Sequence, residues 1–265
     1  LAALAAGYPN VREYFIEKLA DGIAHLAAAV HPSPVIVRFS DFKSNEYRGL
    51  LGGRLFEPEE ENPMLGFRGA SRYYDASYRN AFQLECEAVR RARNDRGFEN
   101  VVVMVPFCRT VEEARLVSQE MESGGLKRGD NGLLSYMMVE IPSNVLLLEQ
   151  FAEYFDGFSI GSNDLTQLTL GIDRDSGALA RIGDERNDAV RMLIKLAIKK
   201  ACALGKPIGL CGQAPSNFPE YADFLVECGI TSISVMPDAI PQTIANVLKA
   251  EERVGRAKLA PREWR

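Results

Sequence analysis

Short apolar runs separated by helical stretches are the feature that most constrains the fold of this chain. Most of the runs are continuously apolar instead of alternating, which is typical of strands buried on both faces of a parallel sheet. We therefore predict seven strands, in the segments VIVRFS (35–40), GFRG (66–69), VVVMVPF (101–107), SYMMVEI (135–141), GFSIG (157–161), PIGLCG (207–212) and SISV (232–235).

Helical patterns fill the stretches between these runs. Thr110 and Glu113 have the spacing of a capping box at the start of a helix over 111–122. A helix over 11–30 is predicted by one apolar stripe, which we expect to be buried and which contains Val11, Phe15, Leu19, Ile23, Leu26 and Val30. Alternating strands and helices predict βαβ units with right-handed crossovers.

The expected fold class is α/β, a (β/α)8 TIM-type barrel that lacks its first strand in this chain. Such a barrel has about 250 residues, and this sequence has 265. The sequence opens on a helix and contains seven predicted strands, so we expect a single barrel domain over residues 1–265 that was cut from a longer protein. An open doubly wound sheet is the alternative. We interpret the acidic run at 57–63 as a solvated loop.

Composition argues against several classes of function. The formal net charge is −5 and there is no basic block, so neither nucleic acid nor an anionic membrane is an expected partner. Five cysteines without a CxxC pair predict free thiols and a cytoplasmic location. The only histidines, His25 and His31, are expected to be structural, which argues against a zinc hydrolase or a Ser-His-Asp triad.

Polar residues lie at the carboxyl ends of the predicted strands, where the active sites of barrels are found. The residues in question are Arg38, Arg68, Glu140, Asp164 and Cys211. We therefore predict that these side chains belong to one site. Arg109 also follows a strand, but covering the start of a helix would explain it equally well.

Each of these residue types suits a particular chemistry. Glu140 lies inside an apolar run and must be paired or bound to a metal. With Asp164 it would suit Mg²⁺, which takes few protein ligands, although a salt bridge to an arginine explains Glu140 equally well. Arg38 and Arg68 have planar guanidinium groups that can form paired hydrogen bonds with a carboxylate or phosphate. Alternatively, they neutralise Glu140 and Asp164.

Two further elements have a functional and a structural interpretation. Cys211 could transfer protons at its strand end, whereas most free cysteines are small buried hydrophobes. No histidine lies near it in the sequence to activate a nucleophile, which favours proton transfer. Gly161 and Ser162 can offer backbone N–H groups to an anion, although turn chemistry alone would also explain the segment GSND (161–164).

Long stretches around these residues resemble the PEP/pyruvate-binding barrel of the PEP-utilising enzyme family. The resemblance extends from about Pro9 to the helix near residue 250. Its most specific segments are VIVRFSDFKSNEYRGLLGG (35–53), FEPEEENPMLGFRGASRYY (56–74), GLKRGDNGL (125–133), MMVEIPSN (137–144), FDGFSIGSNDLTQLTLGIDRDSG (155–177) and GLCGQAPS (209–216).

The resemblance implies a role for each site residue. Arg38 and Arg68 would bind the phosphate and carboxylate of PEP, and Cys211 would move a proton at C3 of pyruvate. Glu140 and Asp164 would hold Mg²⁺. The remaining substrate contacts would come from Gly161, Ser162 and Asn163, partly through the backbone.

The resemblance also implies a multidomain phosphotransferase. The member of this family that these stretches resemble most converts ATP, pyruvate and water to AMP, PEP and phosphate by means of an ATP-grasp domain and a swivelling phosphohistidine domain. This chain lacks the TSH-like motif of the phosphohistidine, so that domain would be its partner and the chain would support the pyruvate/PEP half-reaction. A homodimer is implied by the same analogy.

Three alternatives remain open from the sequence. The chain could be a truncated module that only binds ligand or dimerises. It could belong to a related PEP-utilising barrel such as that of pyruvate phosphate dikinase. A Mg²⁺-dependent aldolase or lyase shares the plan of arginines and carboxylates but resembles these stretches less.

Overall fold

The computed structural model describes residues 3–173, 176–179 and 181–255. Its contacts divide the chain into two compact units, Leu1–Tyr136 and Met137–Arg265. Strands and helices alternate along the chain, which confirms the predicted α/β class.

The first unit contains two complete strands and the start of a third. Its elements are α1 (Val11–Val30), β1 (Val35–Arg38), α2 (Ser44–Gly49), α3 (Ala70–Tyr73), α4 (Arg79–Arg90), β2 (Val101–Val105), α5 (Val111–Ser123) and the beginning of β3 (Ser135–Val139). Short 3₁₀ turns occupy Gly53–Leu55 and Asp130–Gly132, and a π-helical turn occupies Arg91–Asp95.

The second unit begins within β3. Its further elements are α6 (Pro142–Leu146), α7 (Leu148–Phe151), β4 (Gly157–Gly161), α8 (Ser162–Leu170), α9 (Asp188–Ala203), β5 (Ile208–Cys211), α10 (Ala214–Asn217), α11 (Pro219–Cys228), β6 (Ser232–Ser234) and α12 (Ile240–Arg253). A 3₁₀ turn at Pro237–Ala239 leads into α12.

The strands are hydrogen-bonded in chain order from β1 to β6. The pairs β1–β2, β4–β5 and β5–β6 are parallel. Every residue of β2, β3 and β4 is buried, as their continuous apolar character predicted. Within the described ranges the sheet has six strands, so a partial barrel is consistent with the structure and the count of eight is not reached.

The predicted strand GFRG (66–69) is wrong, because this segment is a loop that leads into α3. Its backbone is hydrogen-bonded by side chains and not by a neighbouring strand. The carboxylate of Glu60 accepts the Phe67 N–H at 3.0 Å, and Arg72 Nε donates to the Phe67 carbonyl at 2.8 Å. Gly69 also has a φ of 59° and a ψ of −138°, which is incompatible with a strand.

Helix α1 has the predicted bounds, but its buried face shares only Ile23 and, in part, Leu19 with the predicted stripe. The stripe of Val11, Phe15, Leu26 and Val30 is exposed. The buried face contains Ile16, Ala20, Ile23, Ala24 and Ala27. Small side chains allow the helix axes to approach closely, and Ala20 accordingly packs against Ala88 of α4.

The acidic run at 57–63 is only partly solvated, which corrects the interpretation from the sequence. Glu57 forms two hydrogen bonds with the buried guanidinium of Arg72, at 2.8 and 2.7 Å. Glu60 accepts the Ser44 hydroxyl at 2.5 Å as well as the Phe67 N–H. These two carboxylates hold the loop against the first unit.

Helix α5 begins as predicted. The Thr110 hydroxyl accepts the Glu113 N–H at 3.1 Å, and Glu113 accepts the Thr110 N–H at 3.3 Å. None of the helices in the described part of the chain is both long and apolar enough to cross a bilayer.

Candidate functional site

Arg38 and Arg68 of the first unit both approach one carboxylate, that of Asp41. Arg68 Nε and Nη2 donate to the two oxygens of Asp41 at 3.1 and 2.6 Å. Arg38 Nη1 lies 3.9 Å from Asp41 Oδ2. The Arg68 side chain is almost fully buried, whereas that of Arg38 is 44% exposed. The structure therefore brings these two predicted anion-binding residues together.

Two guanidinium groups of this unit lie against the ring of Phe107. The Arg68 Cζ lies 4.0 Å from the centre of the ring and the Arg109 Cζ lies 4.7 Å from it. Arg109 also donates to the Arg68 carbonyl at 3.3 Å and to Ser71 Oγ at 3.2 Å. Arg109 thus supports the loop that presents Arg68, a role that the sequence did not indicate.

Gly69 is required for the close approach of this loop to Phe107. A Cβ at Gly69 would lie 2.5 Å from the Phe107 Cβ, and its φ of 59° also disfavours a side chain. We expect Gly69→Ala to lower the free energy of unfolding by about 1–3 kcal/mol through overpacking, beyond about 1–3 kcal/mol for a backbone conformation that alanine rarely adopts. Chemical denaturation measures this change.

The matched control is Gly97→Ala. Gly97 also has a positive φ, 78°, but no atom lies within 4 Å of the position its Cβ would take. Gly97→Ala should therefore lower the free energy of unfolding only through the backbone strain, by about 1 kcal/mol. Equal losses in the two variants would show that the contact with Phe107 contributes nothing.

Glu140 of the second unit is fully buried directly after β3. The Asn144 side-chain oxygen accepts the backbone N–H groups of Glu140 and Ile141, at 3.2 and 3.0 Å. A Cβ at Gly161 would lie 2.5 Å from Glu140 Oε2. The absence of a side chain at the end of β4 therefore makes room for the Glu140 carboxylate.

Cys211 ends β5 and is the register partner of Gly161. Its thiol is partly exposed, in contact with Ser159 Oγ at 3.4 Å and with the Ile160 carbonyl at 3.5 Å. Gly161 is thus adjacent to both Glu140 and Cys211. The structure therefore brings the ends of β3, β4 and β5 together in the second unit.

The remaining predicted residues lie in the first turn of α8, which starts immediately after Gly161. Ser162 is fully buried, and its hydroxyl lies beside the carboxylate of Glu185. Asn163 is half-buried. Asp164 is 7% exposed. A side chain at Gly212 would overlap Ser162 Oγ, so a second glycine keeps the space beside this hydroxyl open.

The donor set of this half suits a hard divalent cation. Glu140 provides a carboxylate directly after β3, and Asp164 provides one in the first turn of α8, which follows the neighbouring strand β4. Mg²⁺ is often held by one or two carboxylates together with water and substrate oxygens. No group of three or more His, Cys, Asp or Glu residues with metal-binding spacing occurs in the described ranges. The carboxylate oxygens present therefore fit a hard cation such as Mg²⁺.

Sequence reasoning missed two residues of these surroundings. Asp41 follows Arg38 by three residues in the sequence, and this spacing was its only signal. Glu185 lies in the loop after α8, where its Oε2 would be 3.1 Å from a Cβ at Gly212. Burial raises the pKa of Glu185. No local pattern in the sequence indicates either contact.

The chain matches one family model over residues 8–252, described as the PEP-binding domain of PEP-utilising enzymes. It is 59% identical over 256 residues to a phosphoenolpyruvate synthase of Synechocystis sp., which covers 96% of this chain and 31% of that protein. A phosphoenolpyruvate synthase of Aquifex aeolicus is 58% identical over 252 residues, or 95% of this chain and 29% of its own length.

The phosphoenolpyruvate synthase of Escherichia coli is similar to the same extent. It is 58% identical over 237 residues, which make up 89% of this chain and 30% of that protein. The chain therefore spans less than a third of the length of these curated relatives.

Proposed function

This chain belongs to the PEP-utilising enzymes through their PEP-binding domain, and from that premise we propose that it is the pyruvate/PEP half-site of a phosphoenolpyruvate synthase. The overall reaction would be that of a pyruvate, water dikinase. The observation that carries the proposal is the juxtaposition of Glu140, Gly161 and Cys211 at the ends of three successive strands.

The proposed chemistry begins with the anion. Arg38 and Arg68 bind the carboxylate and phosphate oxygens, while Gly161, Ser162 and Asn163 contact the substrate around the start of α8. This start offers backbone N–H groups to an anion. The position of Ser162 supports this assignment, because its buried hydroxyl lies beside Gly212, where no side chain fills the space.

Cys211 is the proposed acid/base. In the direction of PEP synthesis its thiolate takes a proton from the methyl carbon, C3, of pyruvate, and the C–H electron pair becomes the C2–C3 double bond. The enolate oxygen then attacks the phosphorus of an external phosphohistidine, and the P–N bond breaks to return the histidine. Glu140 and Asp164 would hold Mg²⁺, which supplies electrostatic stabilisation of the enolate when bound.

The proposal includes the assembly in which this half-site works. The phosphoryl donor would be the phosphohistidine domain of the full-length enzyme. The complete domain would have the (β/α)8 barrel fold. The full-length enzyme would be a homodimer in the cytoplasm. The six-stranded sheet and the short coverage of the relatives support a larger protein around this chain.

Calorimetric titration of PEP into the purified chain tests the proposal. We expect binding that needs Mg²⁺ and that weakens at least tenfold in Glu140→Gln and in Arg38→Gln. The reason is that one variant removes a carboxylate ligand of the metal and the other an exposed guanidinium. Equal PEP affinity with and without Mg²⁺ would contradict the metal site.

A control and a second assay separate the alternatives. Arg186→Gln removes an exposed arginine that is already paired with Asp184, at 2.8 Å, and should leave PEP binding unchanged. Exchange of the pyruvate methyl protons with D₂O reports acid/base competence directly. Binding of PEP without any exchange would identify a binding module instead of a catalytic half-site.

A further inference from the structure

Asp41 is a buried carboxylate between the two arginines of the proposed site. Its side chain is 1% exposed. It accepts two hydrogen bonds from Arg68 and lies 3.9 Å from Arg38. A buried carboxylate between two guanidinium groups is stable because its desolvation is offset by these charges.

The pairing with Asp41 determines the orientation of Arg68. Two hydrogen bonds, from Nε and Nη2 to the two oxygens of Asp41, restrict rotation of the guanidinium. The Arg68 Cζ lies 4.0 Å from the centre of the Phe107 ring, and Arg68 Nη1 donates to Met64 Sδ at 3.2 Å. Loss of Asp41 would leave Arg68 with the ring of Phe107 and with Met64 but without its bidentate partner.

Asp41 also changes the charge that a substrate anion meets. Arg38 and Arg68 together contribute two positive charges, and the Asp41 carboxylate offsets one of them. Charges within about 4 Å interact strongly in a partly buried environment. Removing the Asp41 carboxylate therefore increases the attraction of the arginine pair for an anion. It also allows the Arg68 guanidinium to rotate.

We propose that Asp41 is a positioning residue of this site, which holds the Arg68 fork in its working orientation and moderates the affinity of the arginine pair for the substrate anion. The proposal rests on the function proposed above for this site. Its signature is a split between binding and catalysis, because a displaced guanidinium still attracts the anion but no longer places it correctly.

The first test is Asp41→Asn in the full chain, with PEP titration in Mg²⁺ and pyruvate proton exchange at saturating pyruvate. We expect the exchange rate to fall at least tenfold while the Kd for PEP stays equal or decreases. A rise of tenfold or more in Kd, or no change in either quantity, would overturn the proposal. Asp184→Asn, the same change at an exposed pair with Arg186, is the control.

A second measurement does not depend on PEP. Phenylglyoxal modifies accessible arginines, and the modified positions are identified by mass spectrometry. We expect Arg68 to react at least threefold faster in Asp41→Asn, while Arg72, which is paired with Glu57, reacts as in the wild type. Unchanged labelling of Arg68 in the folded variant would refute the positioning role even if the chain bound no PEP. Failure of PEP binding in the wild type would instead refute the proposed function.

Discussion

Replacing Cys211 with alanine is expected to slow the exchange of pyruvate methyl protons with solvent deuterium at least 100-fold. A positioned general acid or base typically contributes about 10²–10⁴ to the rate. The thiol ends β5 beside Gly161 and contacts Ser159 and Ile160 of β4, so its position is well defined. Proton NMR of pyruvate in D₂O with Mg²⁺ measures the exchange rate.

The matched control for this prediction is Cys202→Ala. Cys202 is an exposed thiol on α9, near the Gly229 carbonyl at 3.6 Å, and has no place in the proposed site. Its replacement should leave the exchange rate within a factor of two. Exchange at the wild-type rate in Cys211→Ala would eliminate the thiol as the proton-transfer group.

Replacing Arg72 with methionine is expected to produce the largest loss of stability, about 3–5 kcal/mol in the free energy of unfolding. The side chain is 1% exposed and forms two hydrogen bonds with Glu57. Its guanidinium also lies within 4.4 Å of the centre of the Phe67 ring. Methionine removes the charge and leaves Glu57, which is 11% exposed, without its partner. Urea denaturation measures the change.

Arg115→Met provides the comparison for an exposed ion pair. Arg115 is 40% exposed and its partner Glu112 is 62% exposed, so the loss should be below about 1 kcal/mol. The double variant Arg72→Met with Glu57→Gln should recover part of the loss, because the unpaired carboxylate is then removed. A loss below about 1 kcal/mol in Arg72→Met would show that the loop at 57–63 contributes little to folding.

The residues that the family resemblance assigns to a site form two clusters, one in each unit. The resemblance assigned Arg38 and Arg68 to an anion, and the structure places both beside Asp41. It assigned Glu140 and Cys211 to a metal and a proton, and the structure places both beside Gly161. The roles themselves remain predictions that the titration and exchange experiments address.

The sequence predicted those features that depend on neighbouring residues. The bounds of α1, the capping box of Thr110 and the buried strands β2 to β4 all follow from local periodicity and from hydrogen bonds over a few residues. The positions of Arg38 and Cys211 at the last residues of β1 and β5 follow for the same reason.

The tertiary structure alone decided which partners these residues take. Asp41 and Arg68 are 27 residues apart, and Glu57 and Arg72 are 15 apart. The segment at 66–69 and most of the buried face of α1 were predicted wrongly, because side-chain hydrogen bonds and close helix packing outweighed apolar character. Local pattern determined the secondary structure and the residue types at the strand ends. Long-range burial determined which charges are neutralised and which side chains meet, since a buried charge must find its partner wherever the fold places it.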